Sequence, residues 1–466
     1  MLSHLSIKNF KGWKDTGDIE LAPITVLFGS NSSGKSSIGQ FLVMLKQTVQ
    51  QSDRKTVLML SGDKASVNLG TPSDIFHNHD MQEKIKFEYD WSLDKKSDFG
   101  IGKNRRRYNR VKFKADIQVN DPEIQYLEVG RFAYELFEDT RQRLAVGMKK
   151  LDEGLGSRNY ELFSEIEELK RTKGRAWKLT EPMKYYGFPD AALAYYQDSD
   201  FLQDLNLHQE NLFSKFYYLG PLRSKSSRIY SWAGTNPDSV GDDGIYTIQA
   251  ILSAKHEGRK LRFPHTNYIP FEAVIGNALQ KMELIENYKI NRIENRQDYE
   301  VKVKIKGTSE YVSLPDVGFG VSQVLPVIVQ LFYAPSGSII FIEQPEIHLH
   351  PKAQTLLADV LIDAINMREN SKDRKIQVII ETHSEYLLRR LQMRISDKTI
   401  KTEEMKAYFA NNCANRSKLE ELQVDTYGNI LNWPEGFFGD MEKDMYTQAM
   451  NAMDRRIKER DMQHNE

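Results

Sequence analysis

The 466-residue sequence predicts an α/β fold: a mixed central sheet, an antiparallel β lobe and an inserted helical subdomain. Three observations carry that prediction. A dense apolar run at 24–28 passes through a loop of glycines and serines into a helix pattern, with Ile38, Phe41, Leu42 and Leu45 at helical spacing. Alternating, β-rich runs at 85–93 and 111–119 read as an antiparallel meander. The two most apolar strand candidates, 338–342 and 376–380, come late and are each followed by a polar turn and a further helix pattern.

In chain order, Leu5, Ile7 and Phe10 alternate and stop at Gly12, which reads as an edge strand preceding the buried one. Residues 1–120 then form a first lobe. From 121 to 215 the chain is charged and helix-favouring, notably at 134–151 and 160–169 around Glu153-Gly154-Leu155-Gly156, and is expected to be the helical insert. A helix of about 20 residues spans only ~30 Å, so this is no long coiled-coil arm. Residues 216–400 form a second lobe and 401–466 an extension.

Lysine and arginine total 64 against 65 aspartates and glutamates, so any attraction to polyanions must be local. The densest basic stretch is Lys103, Arg105, Arg106, Arg107, Arg110, Lys112 and Lys114, with Tyr108 and Phe113 interleaved. It reads either as a nucleic-acid backbone contact or as the solvated face of a hairpin. The one cysteine, Cys413, excludes an intrachain disulfide framework and a cysteine zinc cluster. With no apolar run of membrane-spanning length, a cytoplasmic protein without a membrane partner is expected.

Gly29-Ser30-Asn31-Ser32-Ser33-Gly34-Lys35-Ser36 fits the eight-residue phosphate-loop pattern in full, between the strand and helix that the motif requires. Small residues let successive backbone N–H groups face phosphate oxygens, and the helix N-terminus adds positive potential there. Residues Gly29 to Lys35, Ser36 and Ser37 are therefore the candidate nucleotide contacts, with ATP and Mg²⁺ as cofactors. Lys35 would hold the β- and γ-phosphates, and Ser36 would place its hydroxyl on the metal. Glu343 ends an apolar strand and is the expected metal-side acid, brought from the strand beside the phosphate loop. After it, Gln344-Pro345-Glu346-Ile347-His348-Leu349-His350-Pro351 reads as a polar turn, and alternate histidines in it point apart rather than toward one metal. His383 closes another apolar strand, at the end that faces the ligand crevice of an α/β sheet.

With these motifs in this order, the chain resembles the ABC-type ATPase heads of the SMC, RecF and OLD group. The likeness extends to Ile7-Lys8-Asn9-Phe10-Lys11-Gly12 and to Leu314-Pro315-Asp316-Val317-Gly318-Phe319-Gly320-Val321-Ser322-Gln323, which stands where the ABC signature stands. More narrowly, Tyr218-Leu219-Gly220-Pro221-Leu222-Arg223, the run from Glu343 and Trp433-Pro434-Glu435-Gly436-Phe437-Phe438 resemble a bacterial OLD-like subgroup often encoded beside effectors in anti-phage loci.

That resemblance implies a head-to-tail homodimer or higher oligomer, in which ATP on one copy's phosphate loop is closed over by the other's signature loop. Gly318 and Gly320 would let the backbone approach the γ-phosphate, and Ser322 or Asp316 would add a side-chain contact. Gln344 occupies the place of the family's usual catalytic glutamate. Losing a positioned base typically costs ~10²- to 10⁴-fold, so hydrolysis should be slow unless Glu346 serves. His383 resembles the switch histidine. The stretch from Leu69 to His77 stands at the place of the Q-loop but holds no glutamine, and no Asp-x-Asp follows His383, as an OLD-type nuclease domain would need. Three functions follow: a defence ATPase gating a separate effector such as a nuclease, a RecF- or SMC-like ATPase acting on DNA, and an ATP-binding scaffold with negligible hydrolysis.

Overall fold

The structure is a computed structural model and describes residues 1–99, 106–121, 123–151, 159–165, 169–174, 178–413, 416–434, 446–453 and 455–456. Among them, a six-stranded sheet runs in the order Phe216–Leu219, Ile339–Glu343, Gln377–Glu381, Ile24–Gly29, Met405–Cys413, Arg416–Glu421. The first five strands are mutually parallel and the last is antiparallel. Alternate residues of these strands enter different cores. Ile340, Ile342, Val378, Ile380 and Val26 pack under the helices Phe319–Tyr333, Pro351–Asn366 and Glu385–Ser396, while Phe341, Ile379 and Leu27 pack on the opposite face. Burial on both faces explains why these strands read as continuous apolar runs.

That opposite face is covered by the helix Lys35–Gln50 and by an eight-stranded sheet in which every pairing is antiparallel. The helix approaches closely at Gly39, where a Cβ would stand 1.8 Å from the Phe341 ring, so only glycine fits. The helix Phe319–Tyr333 is fixed at its C-terminal end by the fully buried Arg374, whose guanidinium donates to the carbonyls of Leu331, Phe332 and Ala334. No helix among the described residues is long and apolar enough to cross a membrane.

The structure corrects three expectations. The described residues of 121–165 are not a helical insert: they form the strands Tyr126–Glu138, Arg141–Lys150 and Tyr160–Glu165, which extend the meander of Ile85–Phe99 and Arg106–Asp121. Phe132, Tyr134 and Leu136, and then Leu144, Val146 and Met148, repeat at period two and are buried, while Ala133, Glu135, Ala145 and Gly147 between them lie on the other face. Among the described residues of 121–215, helix appears only at Asp190–Tyr195 and Asp200–Ser214, and Glu153 to Gly156 lie outside the described residues. Leu2–Phe10 is an interior strand, paired on one side with Trp13–Asp15 and on the other with Ile85–Phe99. One-faced alternation is the same at an edge and inside an antiparallel sheet, so the pattern could not separate them. Finally, the strand ending in Glu343 does not adjoin the phosphate-loop strand, because Gln377–Glu381 lies between them.

In the basic stretch, three of the seven cations are ion-paired among the described residues. Arg110 pairs with Asp90, Lys112 with Glu88, and Lys114 with Glu88 and Glu135, which is the arrangement of a solvated hairpin face. Lys103 and Arg105 lie outside the described residues.

Candidate functional site

The strand Ile24–Gly29 delivers the chain to the phosphate loop, where Ser32 and Gly34 take left-handed conformations, with φ of 60° and 90°. Gly34 is the residue before the helix, and a Cβ there would meet the Trp13 indole and the Ser417 hydroxyl at 3.0 Å. The Trp13 Nε1 donates to the Gly34 carbonyl at 3.0 Å, which holds the turn from outside. Lys35 folds back over the loop, donating to the carbonyls of Gly29 at 2.9 Å and Ser30 at 2.7 Å. Burial lowers its pKa, and the charges of Glu381 and Glu346 oppose that shift.

A cavity of about 730 Å³ opens over this loop. Its walls bring together Asn31, Ser32, Ser33, Gly34, Lys35, Ser36 and Ser37 with Gln344, Glu381 and His383. Sequence reasoning had named all of these except Glu381 as site residues. The Ser36 hydroxyl donates to Glu381 Oε1 at 2.7 Å. Sheet order is the cause: the strand of Glu381 adjoins the phosphate-loop strand, with Glu381 in register with Leu27 on one side and Glu343 on the other. The signal lay in Ile379-Ile380-Glu381, an apolar strand ending in an acid just as 339–343 does.

Glu343 lies one strand farther out and is buried. Tyr218 donates its hydroxyl to Glu343 Oε1 at 2.8 Å, and Arg223 donates to the Glu343 carbonyl at 2.9 Å. Burial, and then the neighbouring charge of Glu381, push the Glu343 pKa up to about 7 against the pull of Tyr218 and Arg223. Glu346 accepts the backbone N–H of His383 at 2.8 Å, and burial raises its pKa too, as it does that of Glu381. Glu346 Oε2 and Glu381 Oε2 are buried without a hydrogen-bond partner. Desolvated carboxylates with unused oxygens, beside a loop of backbone donors, are the donor set that suits a hard divalent cation shared with phosphates. Among the described residues no three His, Cys, Asp or Glu side chains are grouped to hold a metal by themselves. Such a cation would therefore depend on Ser36, one or two of these acids and the nucleotide.

His383 faces the cavity with its pKa lowered by burial and by Lys35, which keeps the imidazole neutral at pH 7. Gly318, Gly320 and Ser322 are not among the cavity walls. Gly318 is exposed with open space around it, and Ser322 donates to its own helix at Phe319 O. Asp316 is held bidentately by Arg228, at 2.7 and 2.9 Å. Sequence reasoning gave no site role to Gln40, Asn78, Asn412 and Ser417, which complete the cavity together with Gly12 and His77. His77 closes the segment compared with the Q-loop, and Asn78 follows it.

A phosphate loop on a largely parallel sheet, with acids ending the adjoining strand and the one beyond it, defines a P-loop ATPase domain. The chain belongs to the family described as "AAA domain, putative AbiEii toxin, Type IV TA system", whose profile matches residues 24–389. A second profile, "Protein of unknown function (DUF3696)", matches residues 400–448. An "ATP/GTP phosphatase" of Helicobacter pylori is 34% identical over 109 residues, covering 23% of this chain and 28% of that protein. The chain thus matches less than a third of that relative's length. Among solved structures, an SMC head bound to the C-winged helix domain of ScpA aligns with TM-score 0.44 and 12% identity, over 91% of this chain and 98% of that one. The SMC head domain from Thermotoga maritima aligns with TM-score 0.39 and 9% identity, over 91% and 99%. At these scores the likeness assigns no residue.

The raised pKa of Glu343 has a sign for stability. The folded chain holds this proton more tightly than the unfolded chain does, so between about pH 4.5 and 7 stability falls as pH rises. Without nucleotide or divalent metal, Glu343→Gln should gain on the order of 1–3 kcal/mol over wild type at pH 8 and nothing at pH 4.5. Urea unfolding across that range is the measurement, and curves that stay parallel would show that Glu343 is not strained.

Proposed function

We propose that this chain is an ATP-binding, slowly hydrolysing, Mg²⁺-dependent ABC-type ATPase. It works as a dimeric switch in bacterial defence together with a separate effector such as a nuclease. One observation carries the reading: a single cavity gathers Lys35, Ser36, Glu381, Gln344 and His383, while Gly318 to Ser322 stand outside it. Lys35 and the loop N–H groups bind the phosphates, Ser36 with Glu381 and Glu343 hold the metal side, and bound Mg²⁺ supplies charge neutralisation on the transferred phosphoryl group. The phosphate loop then contacts one side of the nucleotide, and Gly318 to Ser322 of a second copy close the other. Asp316 is occupied by Arg228, which leaves Ser322 and the Gly318 and Gly320 backbone for that contact.

Slow turnover is supported by Gln344, whose amide takes no proton at neutral pH and whose backbone is fixed at φ 45° by its N–H bond to the Glu381 carbonyl at 2.7 Å. Glu346 is engaged by His383 and is not among the cavity walls, so it is poorly placed to replace a base. The defence reading draws on the family description, whose named toxin–antitoxin system fits a chain that acts with a second protein.

A second reading, an ATPase acting on DNA, is favoured by a neighbouring cavity of about 780 Å³ that shares His77, Asn78 and Ser417 with the first and is lined by Lys8, Lys14, Lys84, Lys86 and Lys418 against Asp15, Asp80 and Glu83. DNA affinity falling steeply with salt would support it over an effector-gating role.

Gln344→Glu should raise steady-state phosphate release at least tenfold by restoring a base at that position. A variant no faster than wild type removes the account of slow turnover. For the shared site, a Lys35→Ala chain mixed with a Gly318→Asp chain should recover ATPase activity in one of two sites per mixed dimer, while each variant alone is inactive. Gly318 has free space for the new side chain within its own subunit, so the lesion acts on the partner. Sedimentation should show dimers with ATP and monomers without it. Mixed variants with no activity beside an active wild type would end the shared-site reading.

A further inference from the structure

Residues 405–413 and 416–433 touch the phosphate-loop cavity at one end and the helix behind His383 at the other. Met405–Cys413 pairs with the phosphate-loop strand on the side away from Glu381, with Ala410 in register with Gly29. A Cβ on Gly29 would stand 2.2 Å from the Ala410 carbonyl oxygen, so the two backbones are in direct contact. Asn412 donates its Nδ2 to the Ser32 carbonyl at 3.0 Å. Ser32 sits at φ 60°, a conformation that a serine keeps only where its surroundings hold it. From the returning strand, the Ser417 hydroxyl packs against Gly12 and Gly34. Asn412 and Ser417 are both walls of the cavity.

The same segment then reaches the helix Glu385–Ser396. Gln392 donates to the Gly428 carbonyl at 2.8 Å, and the Arg389 guanidinium lies 4.8 Å from the centre of the Trp433 ring. At Gly428, with φ 83°, a Cβ would be 2.2 Å from the Gln392 carbonyl oxygen, so this contact too is backbone-close. That helix is capped by Ser384, the residue after His383.

We propose that Asn412 is a positioning residue for nucleoside triphosphate binding, and that through it residues 416–433 become more rigid when nucleotide fills the cavity. The proposal rests on the nucleotide-binding reading of the cavity. Asn412 keeps the Ser32 peptide in the orientation the loop needs before ligand arrives. Without it only a fraction of molecules is competent, and the apparent Kd rises by the inverse of that fraction. One exposed hydrogen bond accounts for a change of about five-fold. Gln392 lies at the far contact, so cutting it separates the segment's response from binding itself.

The test uses the full chain with ATP and Mg²⁺, titration calorimetry for affinity and hydrogen-exchange mass spectrometry for residues 424–431. Wild type should bind ATP and show slower exchange in that segment when ATP is present. Asn412→Ala and the nearly isosteric Asn412→Leu should each raise the Kd about five-fold. At saturating ATP both should lose the protection at 424–431 while keeping it in the phosphate loop. Gln392→Ala should keep the wild-type Kd and lose the protection. A purely structural Asn412 would lower the melting temperature and leave the Kd unchanged at temperatures well below it. That result, or protection at 424–431 equal in wild type and both Asn412 variants, overturns the proposal while nucleotide binding stands. A wild type that binds no ATP would overturn the nucleotide reading itself.

Discussion

The pairing of Gln377–Glu381 between the phosphate-loop strand and Ile339–Glu343 is the constraint on which the site depends. Parallel strands lie ~4.8 Å apart, so in-register partners end side by side. That register sets Glu381 against the Ser36 hydroxyl and Glu343 beside it. The same strand continues into His383, whose backbone N–H fixes Glu346. A slip of one residue would turn the acids to the other face and bury Thr382 or Ile380 in their place. The buried Gln377 opposes this, because its side chain accepts from the Leu2 N–H and donates to the Leu2 and Ala22 carbonyls.

The cost of this arrangement is a group of desolvated carboxylates. Burial raises the pKa of Glu343, Glu346 and Glu381 together, and two of them keep an unpaired oxygen. Positive charge is present but constrained. Burial brings Arg223 down to about 10, and Lys35 is turned onto the carbonyls of its own loop. A triphosphate would draw Lys35 away from those carbonyls, and a divalent cation would offset the repulsion among the acids.

Much of this was legible in the sequence, for local reasons. The phosphate loop, its strand and its helix are contiguous, so motif and periodicity identify them together. Apolar runs gave the strands of Glu343 and His383 to within a residue or two. Order among parallel strands is a different matter, since it depends on crossovers between segments far apart in sequence, and the expectation that Glu343 adjoins the phosphate loop failed there. The stretch 121–165 was misread because its charged residues favour helix, although the period-two positions from Phe132 to Leu136 and from Leu144 to Met148 pointed to strands. Asn412 and Ser417 carried no motif at all. Their part in the cavity exists only once a strand from beyond residue 400 pairs with Ile24–Gly29.

The central claim is that the phosphate loop and the buried acids are one site for a metal–nucleotide complex. Its most direct test is the affinity of the wild-type chain for ATP with Mg²⁺ and with EDTA, measured by calorimetry at pH 8. The account predicts that ATP binds at least tenfold more tightly with Mg²⁺, because the cation relieves the repulsion between the carboxylates and the γ-phosphate. Equal affinity in the two conditions would mean that Glu343 and Glu381 do not serve the ligand, and would contradict the account.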